Sequence, residues 1–242
     1  MDLASYLLGK KSSGGGGGGD NNNAYIDGTK SYNPSNAIKG FITKIDNLDT
    51  SNMTSGSNLF NGCSNLSAIP KINTSKMTNM SYMFSYCSAL LTIPLIDTSS
   101  TENMQSMFNY CSALQTIPLI NTSKVTNMNQ MFSGCSSLIS IPSLDLSKAT
   151  DVRGMFSNCY NLTTVPLFNI SSATQLVNMF NGSSKLNDQS LDNILQMCIN
   201  ATSYTGTKNL KAIGISNTIT YPVSRIEALP HYQDFVNAGW TI

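Results

Sequence analysis

The sequence predicts an α/β solenoid, a stack of six 24-residue coils, each a short helix plus a short parallel strand, closed by a cap at either end. Two observations carry that expectation. Residue types recur at one fixed step, and within each step the apolar spacing changes from helical to extended. Self-similarity of this kind marks a repeat architecture before any local propensity is weighed.

The step is 24 residues and it holds without insertion or deletion from about Asp49 to Ser190. It relates Phe60, Phe84, Phe108, Phe132, Phe156 and Phe180, and likewise Leu66, Leu90, Leu114, Leu138, Leu162 and Leu186. Pro70, Pro94, Pro118, Pro142 and Pro166 keep the phase, as do the cysteines Cys63, Cys87, Cys111, Cys135 and Cys159. In the last unit Ser183 takes the cysteine place and Gln189-Ser190 replaces Ile-Pro, as expected where a stack ends.

Within a unit, Met80, Met83, Phe84 and Cys87 fall at i, i+3, i+4 and i+7, one face of a helix. Two or three turns of helix are marginal alone. The following Leu90-x-x-Ile93-Pro94-x-Ile96 predicts a strand of two to four residues, kept short by proline, which cannot donate to a ladder. A single unit buries too little apolar surface to offset the entropy of ordering its chain, so the units must stack and share their faces.

The cysteines follow from the phase. A catalytic or metal-binding thiol is needed once, not at the same place in five coils, and a disulfide between coils needs Cα atoms within about 7 Å. Buried thiols acting as small hydrophobes fit best. Cys198 lies outside the repeats.

These residues carry a resemblance. The unit TNMxxMFxxCSxLxxIPxIDTS resembles the BspA-like leucine-rich repeat, in the version found in bacterial surface proteins and phage-encoded proteins. The resemblance implies a right-handed leucine-rich-repeat-type solenoid used for binding, often as an adhesin, with no catalytic residues.

The units divide the chain. Residues 1–11 form a short apolar leader, in which Leu3, Tyr6, Leu7 and Leu8 could anchor the chain to a partner or belong to a disordered start. Residues 12–23 read as a Gly/Asn-rich flexible linker. No strand precedes its glycine run and no Lys-Ser/Thr follows, so it is not a phosphate loop. Residues 24–48 form an N-terminal cap, 49–190 the solenoid and 191–242 a C-terminal cap. In that last cap Leu191, Ile194, Leu195, Cys198 and Ile199 define an amphipathic helix starting near Asp188. NLKAIGIS reads as a final strand, Ser224 and Glu227 have capping-box spacing, and PHYQDFVNAGWTI reads as a closing helix stopped by Gly239 under Trp240. The leader lacks the basic n-region and long apolar core of a signal peptide, and no apolar run is long enough for a membrane span. An apolar leader, Lys-Lys, a glycine run and a repeat domain together resemble proteins encoded near the tail genes of phages of Gram-positive bacteria. That resemblance implies a virion location; a place in the bacterial cytoplasm or at its surface is the alternative.

Charged residues make up only 11% of the chain and the formal net charge is +1, against about a quarter charged in ordinary domains. Neither a nucleic-acid footprint nor an acidic calcium array is present. His231 is the only histidine, so any Ser-His-Asp or histidine-metal chemistry would have to recruit it. Asp97 and Asp145 share a phase with Asn73, Asn121 and Asn169, which fits a turn-forming Asx position better than paired catalytic carboxylates. The expectation is no catalytic site, no metal site and no cofactor.

Two surface rows are candidates for binding. Tyr86 and Tyr110 share one phase, with Tyr82 and Tyr160 nearby, and aromatic rings among Ser, Thr and Asn suit neutral sugars; equally, they could merely decorate the surface. Leu95, Leu119 and Leu167, in the row with Lys71 and Ser143, could form an exposed apolar strip for a protein partner or lie beneath the turn. A threonine row (Thr50, Thr74, Thr98, Thr122) is broken by Leu146 and Ile170, so a flat ice-binding array is not expected. The partners expected are therefore a bacterial surface glycan or protein, and other virion proteins through the leader.

Overall fold

The computed structural model describes residues 23–27, 44–215 and 221–242, with only the backbone of the strand residues 23–27 and 44–49. The leader and its anchor residues Leu3, Tyr6, Leu7 and Leu8 lie outside the described residues, as does nearly all of the linker. Strands β1 (Asn23–Asp27) and β2 (Lys44–Asp49) pair in parallel, with Ile26 opposite Leu48 and Asp27 opposite Asp49. β2 runs directly into the first repeat.

From there the chain stacks upon itself in 24-residue steps. Parallel bridges link Ser55 to Asn79, Asn79 to Asn103, Asn103 to Asn127, Asn127 to Asp151 and Asp151 to Gln175. Phenylalanine rings run up the middle, Phe60 on Phe84 on Phe108 on Phe132 on Phe156 on Phe180, with centroids 5.3–5.7 Å apart and planes within 15°. The leucines and methionines of the repeat surround this ladder and are fully buried through the central coils.

The helix expected over Met80–Cys87 and its counterparts is not there. Those residues form a run of overlapping turns: Met83, Ser85 and Cys87 donate their N–H groups three residues back, to Met80, Tyr82 and Phe84. The alternate N–H groups of Met80, Tyr82, Phe84 and Tyr86 leave the coil and donate to Asn103, Gln105, Met107 and Asn109 of the next one. The same alternation recurs up the stack, for instance from Met128, Gln130, Phe132 and Gly134 to Asp151, Arg153, Met155 and Ser157. A helix would keep every donor inside its own segment; this backbone gives half of them to its neighbour, which is what a stack needs and an isolated unit does not.

The geometry that permits it is a left-handed backbone at two places per repeat. One row, Asn58, Tyr82, Ser106, Gln130, Gly154 and Asn178, has φ between 52° and 60°. The other, Gly62, Tyr86, Tyr110, Gly134, Asn158 and Gly182, lies between 57° and 81°. A positive φ at the third residue of a turn is the type II arrangement, which favours Gly and Asn. An i, i+3, i+4, i+7 apolar pattern arises from such turns as readily as from a helix, because both advance about three residues per reversal.

The strand expected around Ile93–Ile96 is also absent. Backbone pairing on that side is confined to points just before the proline, such as Leu91 N–H to Ser67 O (3.2 Å) and the bridge between Ser140 and Thr164. Beyond it the chain is held by buried Ile93 and Ile96 and by threonine hydroxyls: Thr50, Thr74 and Thr98 donate to the carbonyls of Asn73, Asp97 and Asn121 at 2.6–2.7 Å. The threonine row is thus a buried seam. Asn73, Asp97, Asn121, Asp145 and Asn169 accept the N–H two residues on, the Asx turn expected of them. These bonds hold the Asp97 and Asp145 carboxyls below the usual carboxylate range, the Ser99 backbone N–H contributing most to the first and the Ser147 side chain most to the second.

At the far end, helix α1 (Asp188–Asn200) covers the last coil. Its N-cap is Asn187, whose side chain accepts from the Ser190 N–H. Ser190 Oγ accepts the Val165 N–H (2.9 Å) and Asn193 Nδ2 donates to Val165 O (2.8 Å), so the helix satisfies backbone groups of the coil beneath. NLKAIGIS is no strand: Asn209 forms an isolated bridge with Thr241, and Ala212 and Ile213 accept from Asn178 and Phe180 as a shortened further rung. Helices α2 (Val223–Glu227) and α3 (Tyr232–Asn237) follow. Pro222 caps α2 without a side-chain bond, so Ser224 closes no capping box. Gly239 turns with φ 84° and Trp240, buried, stacks on Tyr204 with centroids 5.6 Å apart.

Candidate binding surfaces

The cysteines are part of the scaffold. Cys87, Cys111, Cys135 and Cys159 are fully buried, and each thiol donates to the carbonyl of the phenylalanine 27 residues earlier at 3.0–3.1 Å. Ser183 keeps the bond with its hydroxyl (Phe156 O, 2.7 Å). Burial pushes the Cys111 and Cys159 thiols up to about 12, which suppresses the thiolate that chemistry would require. The expectation of apolar filler was incomplete: the residue also ties coils together through a hydrogen bond, a role that the serine at Ser183 already hinted at.

His231 caps α3 and meets a buried carboxylate. Its N–H donates to Asp192 Oδ1 (2.9 Å) and its Nδ1 lies 2.7 Å from Asp192 Oδ2, fastening α3 to α1. No hydroxyl or thiol is hydrogen-bonded to its ring among the described residues, so the pair acts as a clasp. Among the described residues no group of three or more His, Cys, Asp or Glu side chains converges, and no helix is long and apolar enough to cross a membrane.

The tyrosines fall into two groups. Tyr86 and Tyr110 project from adjacent coils, about half exposed, with rings stacked at 5.0 Å and 8°. Tyr82, on the same coil as Tyr86, is half-buried and accepts from Gln105 Nε2 (2.8 Å). Tyr160 is exposed further along the stack and donates to Asn158 Oδ1 (3.2 Å). Asn158, half-buried, lies in the phase of Tyr110, whereas Gly134 in the same phase is buried.

Leu95, Leu119 and Leu167 are 67%, 63% and 44% exposed, so they do not tuck beneath the turn. Ser143 interrupts the row. A groove of about 950 Å³ is lined by Leu95 and Leu119 together with Lys71, Pro94, Asp97 and Asn121. Leu91 and Ile139, which share a phase four residues earlier, are also exposed.

A family model described as "Mycoplasma protein of unknown function, DUF285" matches residues 30–137 and 91–194, together more than half of the chain. The chain belongs to this family. The DUF285 chain is also similar to a solved leucine-rich repeat protein of T. pallidum (TpLRR), with a TM-score of 0.52 at 19% identity over 73% of this chain and 83% of that one. A weaker likeness, to a leucine-rich repeat protein from Bacteroides ovatus ATCC 8483, has a TM-score of 0.37 at 18% identity and covers 68% of this chain and 47% of that one. No curated protein matches. The BspA-like leucine-rich-repeat reading of the 24-residue unit therefore stands, and the fold is a repeat solenoid.

Proposed function

We propose that this chain is a non-enzymatic binding module that recognises a neutral glycan or a protein on a bacterial surface, carried as an accessory protein of a phage particle. The observation that carries the reading is the division of positions within each repeat. The recurrent Met, Phe, Cys and Leu and the Ile93 and Ile96 rows are consumed by the core, whereas exposed large side chains include the stacked Tyr86–Tyr110 pair and the Leu95–Leu119 strip on adjacent coils. Leucine-rich-repeat scaffolds present such rows on a rigid surface suited to binding. The apolar leader and glycine run support attachment of the scaffold to a larger particle, and many copies on one particle convert weak single contacts into avidity.

A second reading, a structural protein of a phage tail or a bacterial protein–protein scaffold, is favoured by the Leu95–Leu119 groove, whose largely apolar lining suits a protein more than a sugar.

The full-length chain, tetramerised and fluorescently labelled, is to be tested on a panel of bacteria before and after enzymatic removal of surface glycans. Binding to some strains is expected. Absence of binding to every strain overturns surface recognition in favour of the structural reading.

A further inference from the structure

Leu95 and Leu119 stand at one phase of adjacent coils, both well exposed, and line the groove of about 950 Å³. Its charged lining residues among the described ones, Lys71 and Asp97, are one cation and one carboxylate. Their charges offset each other, so apolar contact decides what settles there.

The rungs of this face continue into the N-terminal strands. Asn47, Leu48 and Asp49 of β2 come 24 residues before Lys71, Ile72 and Asn73. The bond from Thr50 Oγ1 to Asn73 O (2.6 Å) repeats as Thr74 Oγ1 to Asp97 O (2.6 Å). The end of β2 is therefore stacked on residues 71–73 as those are stacked on 95–97. β1 pairs with β2 in parallel, Asp27 opposite Asp49, and so forms the rung before it. Asn23, the first residue of β1, is three rungs from Leu95 and four from Leu119, roughly 15–20 Å at strand spacing.

That distance matches the chain that precedes it. Residues 12–22 separate Lys11 from Asn23 and include the glycine run Gly14–Gly19. A Gly-rich chain of eleven residues has an r.m.s. end-to-end distance of about 17–20 Å. A tether matched to its span gives an effective concentration on the order of millimolar, which an untethered partner reaches only in concentrated solution. Beyond the tether, Leu3, Tyr6, Leu7 and Leu8 place four large apolar side chains within a short stretch of sequence.

We infer that the leader, residues 1–11 of this same chain, docks in the Leu95–Leu119 groove, its leucines and Tyr6 packing on Leu95, Leu119 and Pro94. The groove is apolar where the leader is apolar, and the tether starts on the face that carries the groove. This goes beyond the surface-recognition reading and does not depend on it. If the leader is also the anchor to a particle, anchoring draws it away and uncovers the groove; that consequence alone rests on the reading above.

The test is disulfide trapping in the full-length chain. The native cysteines are buried, so they do not compete with introduced thiols. Ser5→Cys in the leader and Lys71→Cys at the groove leave every apolar residue of the contact in place. Under oxidised glutathione the pair is expected to close a disulfide within one chain, read by mass spectrometry and non-reducing electrophoresis. Two further changes keep the tether and remove the contact: Leu3→Asp with Leu7→Asp on the leader, and Leu95→Asp in the groove. Each is expected to slow closure by about tenfold or more. Leu95 is exposed, so Leu95→Asp leaves the core intact, and unfolding curves check this.

Equal rates in all three proteins mean that the tether alone brings the thiols together, and overturn the inference. Slowing by the leader changes without slowing by Leu95→Asp places the leader elsewhere and overturns it too. A disulfide that joins two chains instead of closing within one makes a second copy the occupant and likewise overturns it.

Discussion

The two sides of each coil are built on different principles. Along Met80–Cys87 and its counterparts, backbone donors alternate between the coil's own turns and the next coil, and the thiols add a further bond between layers. Across the Ile-Pro side the backbone hardly pairs at all, and cohesion comes from buried isoleucines and a seam of threonine hydroxyls. One side is held mainly by hydrogen bonds between coils, the other mainly by side chains. The difference teaches where the stack tolerates change: the side with paired backbone is tied to its neighbour at every second residue, whereas the proline side is held at Ile93, Ile96 and Thr98 and their counterparts, and the exposed leucines sit between them.

The comparison is broken most severely by removing a rung of the phenylalanine ladder. Phe108 is fully buried with a ring on either side, at 5.5 Å in both directions. Phe108→Ala is expected to cost about 3–5 kcal/mol, from lost transfer energy plus the cavity left behind. Leu119→Ala, on the exposed row of the same repeat, is expected to stay within about 0.5 kcal/mol of the parent. Urea unfolding followed by circular dichroism gives both values; comparable costs would refute the division between the two sides.

A smaller effect of opposite sign separates the turn ladder from a helix. Gln130 is exposed and has φ 54°. In a helix Gln130→Gly would destabilise by about 1 kcal/mol relative to Ala. At a left-handed position the strain on a side-chain-bearing residue is relieved instead, so Gln130→Gly is expected to be more stable than Gln130→Ala by about 1 kcal/mol. A thermal scan of the two variants decides by sign alone.

The period, the buried phase and the Asx turns were legible in the sequence because each depends on residue type at one position. The local backbone was misread because an apolar spacing of three and four does not distinguish a helix from successive turns. A warning was present: Gly62, Gly134, Gly154, Gly182, Asn58, Asn158 and Asn178 all fall on the two rows with positive φ, and a helix interior disfavours such residues. The strand was over-extended because Ile93 and Ile96 have strand-like residue types, although proline between them removes a donor. The Tyr86–Tyr110 pair was legible from its phase. The burial of Gly134 beneath the Tyr110 ring was not, since it depends on the direction in which the side chains lean, and no residue type records that.

The finest distinction lies within the threonine seam. Thr98 and Thr122 occupy the same phase and both are buried. Thr98 donates to Asn121 O at 2.7 Å, whereas Thr122 Oγ1 has no hydrogen-bond partner, at the point where the next member of the row is Leu146. Replacing a hydroxyl that bonds a buried carbonyl costs about 1 kcal/mol, whereas removing one that bonds nothing relieves a desolvation penalty. Thr98→Val is therefore expected to destabilise by about 1 kcal/mol and Thr122→Val to be neutral or stabilising. Equal losses at both sites in urea unfolding would mean that the seam works by methyl packing rather than by its hydroxyls. A loss at Thr98 alone would mean that threonine is kept in the early repeats for the carbonyl beyond it, and gives way to leucine and isoleucine where that bond is no longer made.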